Sequence, residues 1–204
     1  MLLKNDGGVL PMKVGGKVAV LGPHFNVTDV MISNYHGSRC AGGPKDFDCI
    51  PTPLDEITKA NSGGSTTGVM GCEVDSTKND IAAAVTAAKA ADTVVMVLGI
   101  GQQQEREGQD RYNTTLPGLQ IELAEQVLAL GKPTVLVLIH VKWRCFLDVS
   151  LPVWLTLKVS LSQGGAMSLG PLKDKFHAIV DAFCTHSAHL AFSVVSALTK
   201  SVFE

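Results

Sequence analysis

Short apolar runs alternate with helical repeats along this 204-residue chain. Lys17 opens an apolar run, Val18, Ala19, Val20 and Leu21, closed by Gly22 and Pro23, the pattern of a buried strand that stops at a turn. Residues 52–60 predict a short helix, with Pro53 and Asp55 at its start. Residues 67–72 read as a weaker strand. Residues 80–91 are Ala-rich and free of Gly and Pro, which predicts helix. Residues 92–100 carry an unbroken apolar core, Val94, Val95, Met96, Val97 and Leu98, as in a parallel strand covered on both faces. Residues 117–130 predict the next helix. Pro117 suits its first turn, Leu119, Leu123, Val127 and Leu130 share one face, and Gly131 ends it. Residues 133–140 form another buried strand.

This alternation implies an α/β fold, a three-layer α/β/α sandwich around a mostly parallel sheet of about five or six strands, with right-handed crossovers. Ligands in such sheets gather beyond the carboxyl ends of the strands. That directs attention to residues 22–25, residues 99–116 and whatever follows His140. The second is the longest, and long connections in compact domains tend to carry function.

Composition narrows the classes. Seventeen Lys and Arg against nineteen Asp and Glu leave a net charge of −2, without the basic stripe of a nucleic-acid binder. Cys40, Cys49, Cys72, Cys145 and Cys184 contain no CxxC pair, so a zinc ribbon or thioredoxin-type site is not expected. Cys40 and Cys49 flank a Gly/Pro-rich loop, where they can pair in an oxidising compartment or remain two thiols. Asn26-Val27-Thr28 and Asn113-Thr114-Thr115 fit the N-glycosylation triplet, a pattern common by chance. The first residues lack the basic and long apolar regions of a signal peptide. The apolar stretch 134–162 is interrupted by Lys142, Arg144, Asp148, Pro152 and Lys158, too often for a membrane span of about 20 apolar residues. No membrane or nucleic-acid partner is expected, and no cofactor or metal.

The chemistry concentrates in the loop after residue 99. Gly99-Ile100-Gly101 begins like a dinucleotide fingerprint, but Gln104 stands where the third glycine belongs, and no phosphate loop occurs elsewhere. The run from Gln102 to Arg111 holds Glu105, Glu107 and Asp110 with Arg106 and Arg111. A glycosidase needs one carboxyl as general acid and a second as nucleophile or base. A carboxyl on this loop could serve as the acid, with Arg111 holding Asp110 by a bidentate pair. From spacing alone, a solvated charged loop is favoured over that reading. The histidines lack HExxH spacing, and no GxSxG elbow appears. His24 and His140 fall at strand ends, where they can line a pocket or be ordinary polar loop residues.

At these residues the chain resembles the C-terminal α/β domain of glycoside hydrolase family 3, on the β-xylosidase/β-glucosidase side. The matching pieces are Leu2-Leu3-Lys4-Asn5-Asp6, Val18-Ala19-Val20-Leu21-Gly22-Pro23, Met31-Ile32-Ser33-Asn34-Tyr35-His36-Gly37, Val94 to Gly99, Glu105 to Arg111, Leu116-Pro117-Gly118 with Gln120, and Lys132 to Leu138. The resemblance covers residues 1–140 nearly continuously. It implies a TIM-barrel partner domain bearing the aspartate nucleophile, and a loop from this domain that carries the acid/base glutamate. The family pattern of a Glu four residues before an Arg falls on Glu107 and Arg111, with Glu105 as second choice. Asp110, Arg111 and His24 are the implied substrate contacts, the substrate an oligosaccharide or other β-glycoside. The implied parent enzyme is secreted, and this chain without its barrel is expected to be inactive. A non-catalytic carbohydrate-binding or scaffold domain is the alternative, though only 5% of residues are aromatic. A flavodoxin-like nucleotide domain would fit the fold but lacks the phosphate loop.

The match is interrupted. Residues 141–163 correspond to nothing in the family, and the pattern resumes at Gly164-Gly165-Ala166-Met167-Ser168 and runs to Cys184. Val141-Lys142-Trp143 can be encoded by a sequence opening GTAAG and Gln163 by CAG, so this segment reads as a retained intron or a genuine insertion. Residues 185–204 are an unmatched tail. Without the family's last segment, the sheet is expected to be incomplete at its C-terminal edge, with the apolar tail partly covering it.

Overall fold

A computed structural model describes residues 2–31, 40, 47, 49–140, 175–176 and 178–183. The segment 141–163 and the tail 185–204 lie outside the described residues.

The apolar runs form the strands β2 (Lys17–Leu21), β4 (Thr93–Gly99) and β5 (Thr134–His140). A shorter strand, β3 (Ser65–Val69), lies between the helices α1 (Pro53–Ala60) and α2 (Ile81–Ala90). Helix α3 (Gln120–Leu128) joins β4 to β5, and β6 (Ala178–Phe183) follows later. Local chemistry fixes the helix starts. The Thr52 hydroxyl oxygen accepts from Asp55 N at 3.1 Å, while Asp55 Oδ2 accepts from Thr52 N at 3.0 Å. This capping box satisfies donors that the first turn would otherwise leave open. Asp80 does the same for α2 through Ala83 N at 3.3 Å.

With β1 (Leu2–Asn5) at one edge, the sheet runs β1-β6-β5-β4-β2-β3. β1 is antiparallel to β6, and every other pair is parallel. From β2 the chain moves outward to β3, then returns past β2 to β4 and continues through β5 to β6. With right-handed crossovers, this reversal places α1 on one face and α2 and α3 on the other. The core divides accordingly. Val18, Val20, Val95, Val97, Val135 and Val137 pack with Ile57 of α1. Ala19, Leu21, Val94, Met96, Leu98, Leu136 and Leu138 pack with Ala84 and Ala88 of α2, and with Leu123 and Val127 of α3. Successive residues of one strand thus serve opposite cores, which explains the unbroken apolar runs Val18–Leu21, Val94–Leu98 and Val135–Ile139.

Several boundaries differ from the sequence pattern for visible reasons. The strand expected at 67–72 ends at Val69, because Gly71 turns with φ +71 and packs on Ala84 and Leu123. The helix expected from Pro117 starts at Gln120, because Gly118 has φ +59 and lies against the backbone of residues 74–76. β1 carries no period long enough to read, and its partner β6 is distant in sequence. Asn5 then brackets the following turn, donating to Leu10 O at 2.8 Å and accepting from Leu10 N at 3.0 Å. β6 is paired on both sides, by β5 and β1, so among the described residues the sheet edges are β1 and β3. The Cys40–Cys49 disulfide forms, with Cα atoms 5.6 Å apart, beside the α1 core to which Cys40 and Phe47 contribute.

Gly99 has the tightest position in the sheet. Its φ is +146, and a Cβ there would be driven into the Ile139 carbonyl of β5. Gly131 also has positive φ (+67), but a Cβ there meets nothing. Gly99→Ala is therefore expected to cost at least about 3 kcal/mol, whereas Gly131→Ala costs only the left-handed penalty of about 1–2 kcal/mol. Urea midpoints of the two variants test this, and equal losses would contradict it.

Candidate functional site

The point where strand order reverses, between β2 and β4, is where the crevice of a doubly wound sheet opens. The loop that follows β4 begins there, at Gly99. The Gly99 peptide is held by the side-chain amide of Gln120, which is fully buried. Gly99 N donates to Gln120 Oε1 at 2.8 Å, and Gln120 Nε2 donates to Gly99 O at 2.8 Å and to Val74 O at 2.9 Å. One amide thus joins the exit of β4, the first turn of α3 and the β3–α2 connection. Gln120 was visible in the sequence only as part of a family pattern; nothing in its spacing announced this role.

His24 lies under the same peptide. Its backbone N donates to Val97 O at 3.3 Å, and its imidazole hydrogen-bonds to the Gly99 backbone. The side chain is 1% exposed, and Nε2 is buried without a hydrogen-bond partner. Burial lowers its pKa from 6.5 to about 4, against the opposing pull of the Gly99 hydrogen bond. The side chain expected to contact substrate is thus a neutral imidazole buried beneath the loop, where it supports the loop's root. His140 ends β5, but its side chain lies outside the described residues.

Beyond Gly99 the loop folds on itself. Ile100 is buried, and its N donates to Ile139 O at 3.0 Å. Gly101 O accepts from Gln104 N at 3.1 Å and from Glu105 N at 3.2 Å. Arg106 and Gln109 exchange two backbone hydrogen bonds of 3.0 Å, closing a tight turn in which Gly108 has φ +73. Arg106 Nη1 donates to Gln102 O at 3.0 Å, and Gln109 Nε2 to Gln103 O at 2.8 Å.

The acidic residues separate by environment. Glu105 is buried, and its Oε2 accepts from Arg111 Nε at 2.8 Å, with side chains 10% and 11% exposed. Arg111 therefore holds Glu105, where the sequence suggested Asp110. The geometric reason is the turn: it reverses the chain and carries residue 111 back beside residue 105, while Asp110 is exposed. Glu107 is exposed on the tight turn itself. A proton donor must be reachable by its acceptor, and of the two glutamates Glu107 is the reachable one. The other reactive group nearby is closed off: burial pushes the Cys72 thiol up to about 11, and the Glu122 carboxylate pushes in the same direction. Among the described residues no cluster of His, Cys, Asp or Glu is arranged to hold a metal, and no helix is long and apolar enough to cross a membrane.

A doubly wound sheet that presents a self-folded acidic loop at its reversal point defines a three-layer α/β sandwich domain. The chain belongs to the glycosyl hydrolase family 3 C-terminal domain family, whose model matches residues 1–148. It is 41% identical over 141 residues to beta-D-xylosidase 3 of Arabidopsis thaliana, a match spanning 68% of this chain and 17% of that protein. It is 36% identical over 138 residues to a probable exo-1,4-beta-xylosidase of Aspergillus oryzae, covering 67% of this chain and 16% of the other. Among solved structures, a GH3 exo-beta-xylosidase in complex with a xylobiose aziridine activity-based probe superposes with a TM-score of 0.71 at 27% identity, covering 98% of this chain and 22% of that one. A Bifidobacterium adolescentis GH3 beta-glucosidase gives 0.67 at 25% identity, covering 99% and 25%. The chain thus spans about a sixth of the length of these two curated relatives.

The buried imidazole makes a pH prediction. His24 binds a proton more readily in the unfolded chain (6.5) than in the folded one (about 4). Stability should therefore fall as pH drops from about 6.5 toward 4 and level off below, losing on the order of 3 kcal/mol through this group. Chemical denaturation of the native protein and His24→Asn across that range isolates the contribution. Parallel pH curves for the two would rule it out.

Proposed function

We propose that this domain supplies the acid/base loop of an exo-acting retaining β-glycosidase, of β-xylosidase or β-glucosidase type, and that Glu107 is its proton donor. Glu107 protonates the glycosidic oxygen as the bond to the leaving group breaks. As a carboxylate, it then takes a proton from the water that releases the sugar. The nucleophile, in this reading, is an aspartate on a TIM-barrel domain of the same enzyme, about 5–5.5 Å from Glu107 in the working site. Asp110, exposed beside the turn, hydrogen-bonds to sugar hydroxyls. Arg111 acts through Glu105, fixing the base of the turn.

The observation that carries this reading is the division of labour between the two glutamates. Glu105 is spent on a buried ion pair, and Glu107 is carried outward on a turn closed by two backbone bonds. The names of the curated relatives favour a xyloside as substrate. The Cys40–Cys49 disulfide agrees with an enzyme that works outside the reducing cytosol.

The test uses the enzyme in which this domain stands beside its barrel. Glu107→Gln should lower hydrolysis of a poor leaving group about 10²–10⁴-fold, spare an activated aryl β-xyloside, respond to added azide, and leave thermal stability unchanged. Glu105→Ala should instead destabilise the domain by about 3–5 kcal/mol, because it leaves a buried Arg111 charge without its carboxylate. Unchanged kinetics in Glu107→Gln would remove it from the mechanism. The chain on its own should not turn over either substrate.

A further inference from the structure

The loop carries a second chemical feature, which the glycosidase reading does not use. Tyr112, Asn113, Thr114 and Thr115 are all exposed, between the buried Glu105–Arg111 pair and the buried Leu116. Within this stretch Asn113 Oδ1 accepts two hydrogen bonds, from Thr115 N at 3.0 Å and from the Thr115 hydroxyl at 2.9 Å. The amide oxygen is thereby engaged while the residue as a whole stays exposed.

We infer that Asn113 is an N-glycan acceptor. The triplet Asn113-Thr114-Thr115 has the required composition, and composition alone would be weak. The structure adds the hydroxyl of the third residue bonded to the amide of the first. This contact spans only two residues, so the nascent chain can make it before the domain folds. It draws electron density toward the amide oxygen and makes the Nδ2 protons easier to lose. In the transfer, Nδ2 gives up a proton to a base of the transferase and bonds to the anomeric carbon of a pyrophosphate-linked oligosaccharide. The bond from that carbon to the phosphate oxygen breaks, and the pyrophosphate leaves with the electron pair. Nothing is oxidised or reduced.

The other triplet, Asn26-Val27-Thr28, makes a useful contrast. Asn26 is exposed, but Val27 and Thr28 are half-buried, and the Thr28 carbonyl caps the next turn by accepting from Met31 N at 3.1 Å. In the folded domain the two triplets, equivalent in sequence, thus differ in exposure and in their local hydrogen bonds. The Cys40–Cys49 disulfide belongs to the same oxidising compartment in which glycans are attached. A glycan on Asn113 would also keep residues 112–115 in water, so this edge of the loop would not be available as a packing surface for another domain.

The full chain, translated behind a cleavable secretion leader in the presence of microsomes, tests the assignment without needing activity or complete folding. Asn26→Gln should retain a mobility shift that peptide N-glycosidase removes. Asn113→Gln and Thr115→Ala should each lose that step, and Thr115→Ser should keep it. Peptide mass spectrometry after deglycosylation should place the resulting aspartate at position 113. A shift that survives Asn113→Gln unchanged, or no shift beside a glycosylated control protein, would overturn the proposal.

Discussion

The Gly99 peptide unit is where the sheet, two of its connections and the acidic loop are tied together. Its N–H and C=O both point at one buried amide, that of Gln120, and its carbonyl side also receives the His24 imidazole. A peptide group buried at a strand end must find partners or lose about 1–3 kcal/mol for each group left unmet. The β5 ladder cannot supply them all, because the chain departs here with φ +146, into space a side chain would fill with a clash against Ile139. Glycine permits the departure, and Gln120 makes the departure affordable by matching donor and acceptor together. The direction in which the loop leaves the sheet follows from this.

Further out, the loop holds its shape by its own contacts and not by a hydrophobic core. The Glu105–Arg111 pair is removed from water, and such pairs return little net stability because desolvation offsets attraction. What it supplies is register: with residue 111 fixed against residue 105, the chain between them has to turn at 106–109. The short backbone bonds between Arg106 and Gln109, with Gly108 at positive φ, complete that turn. A carboxylate at position 107 is then exposed whatever its own preferences. Exposure of one glutamate is thus a consequence of burying the other.

The two-faced sheet accounts for how a modest chain supports this. β4 and β5 contribute alternate side chains to separate cores, one closed by α1 and the N-terminal segment, the other by α2 and α3. Small residues matter on the second face. Ala84 and Ala88 are completely buried and let α2 approach β2 and β3, while Leu123 fills the space between α3 and the sheet. Asn61, at the end of α1, binds back to Gly15 N at 2.9 Å and Gly16 O at 3.0 Å, which aligns the entry to β2.

By itself the sequence determined the central strands, the helices between them and the fold class. Continuous apolar runs such as Val94 to Leu98 have no stable place except a strand covered on both sides, and the Ala-rich 81–90 segment favours helix over every competitor. It also marked the acidic loop and the family, because those depend on residue identities in order. Tertiary structure decided the rest. β1 pairs with a strand distant in sequence, so no local period could show it. Which carboxylate Arg111 takes depends on where a turn returns the chain, and adjacency in sequence pointed to Asp110 instead. His24 and Gln120 acquire their roles only from burial beside Gly99: hydrogen-bond partners and desolvation are properties of the assembled space around a group, and the order of residues does not contain that space.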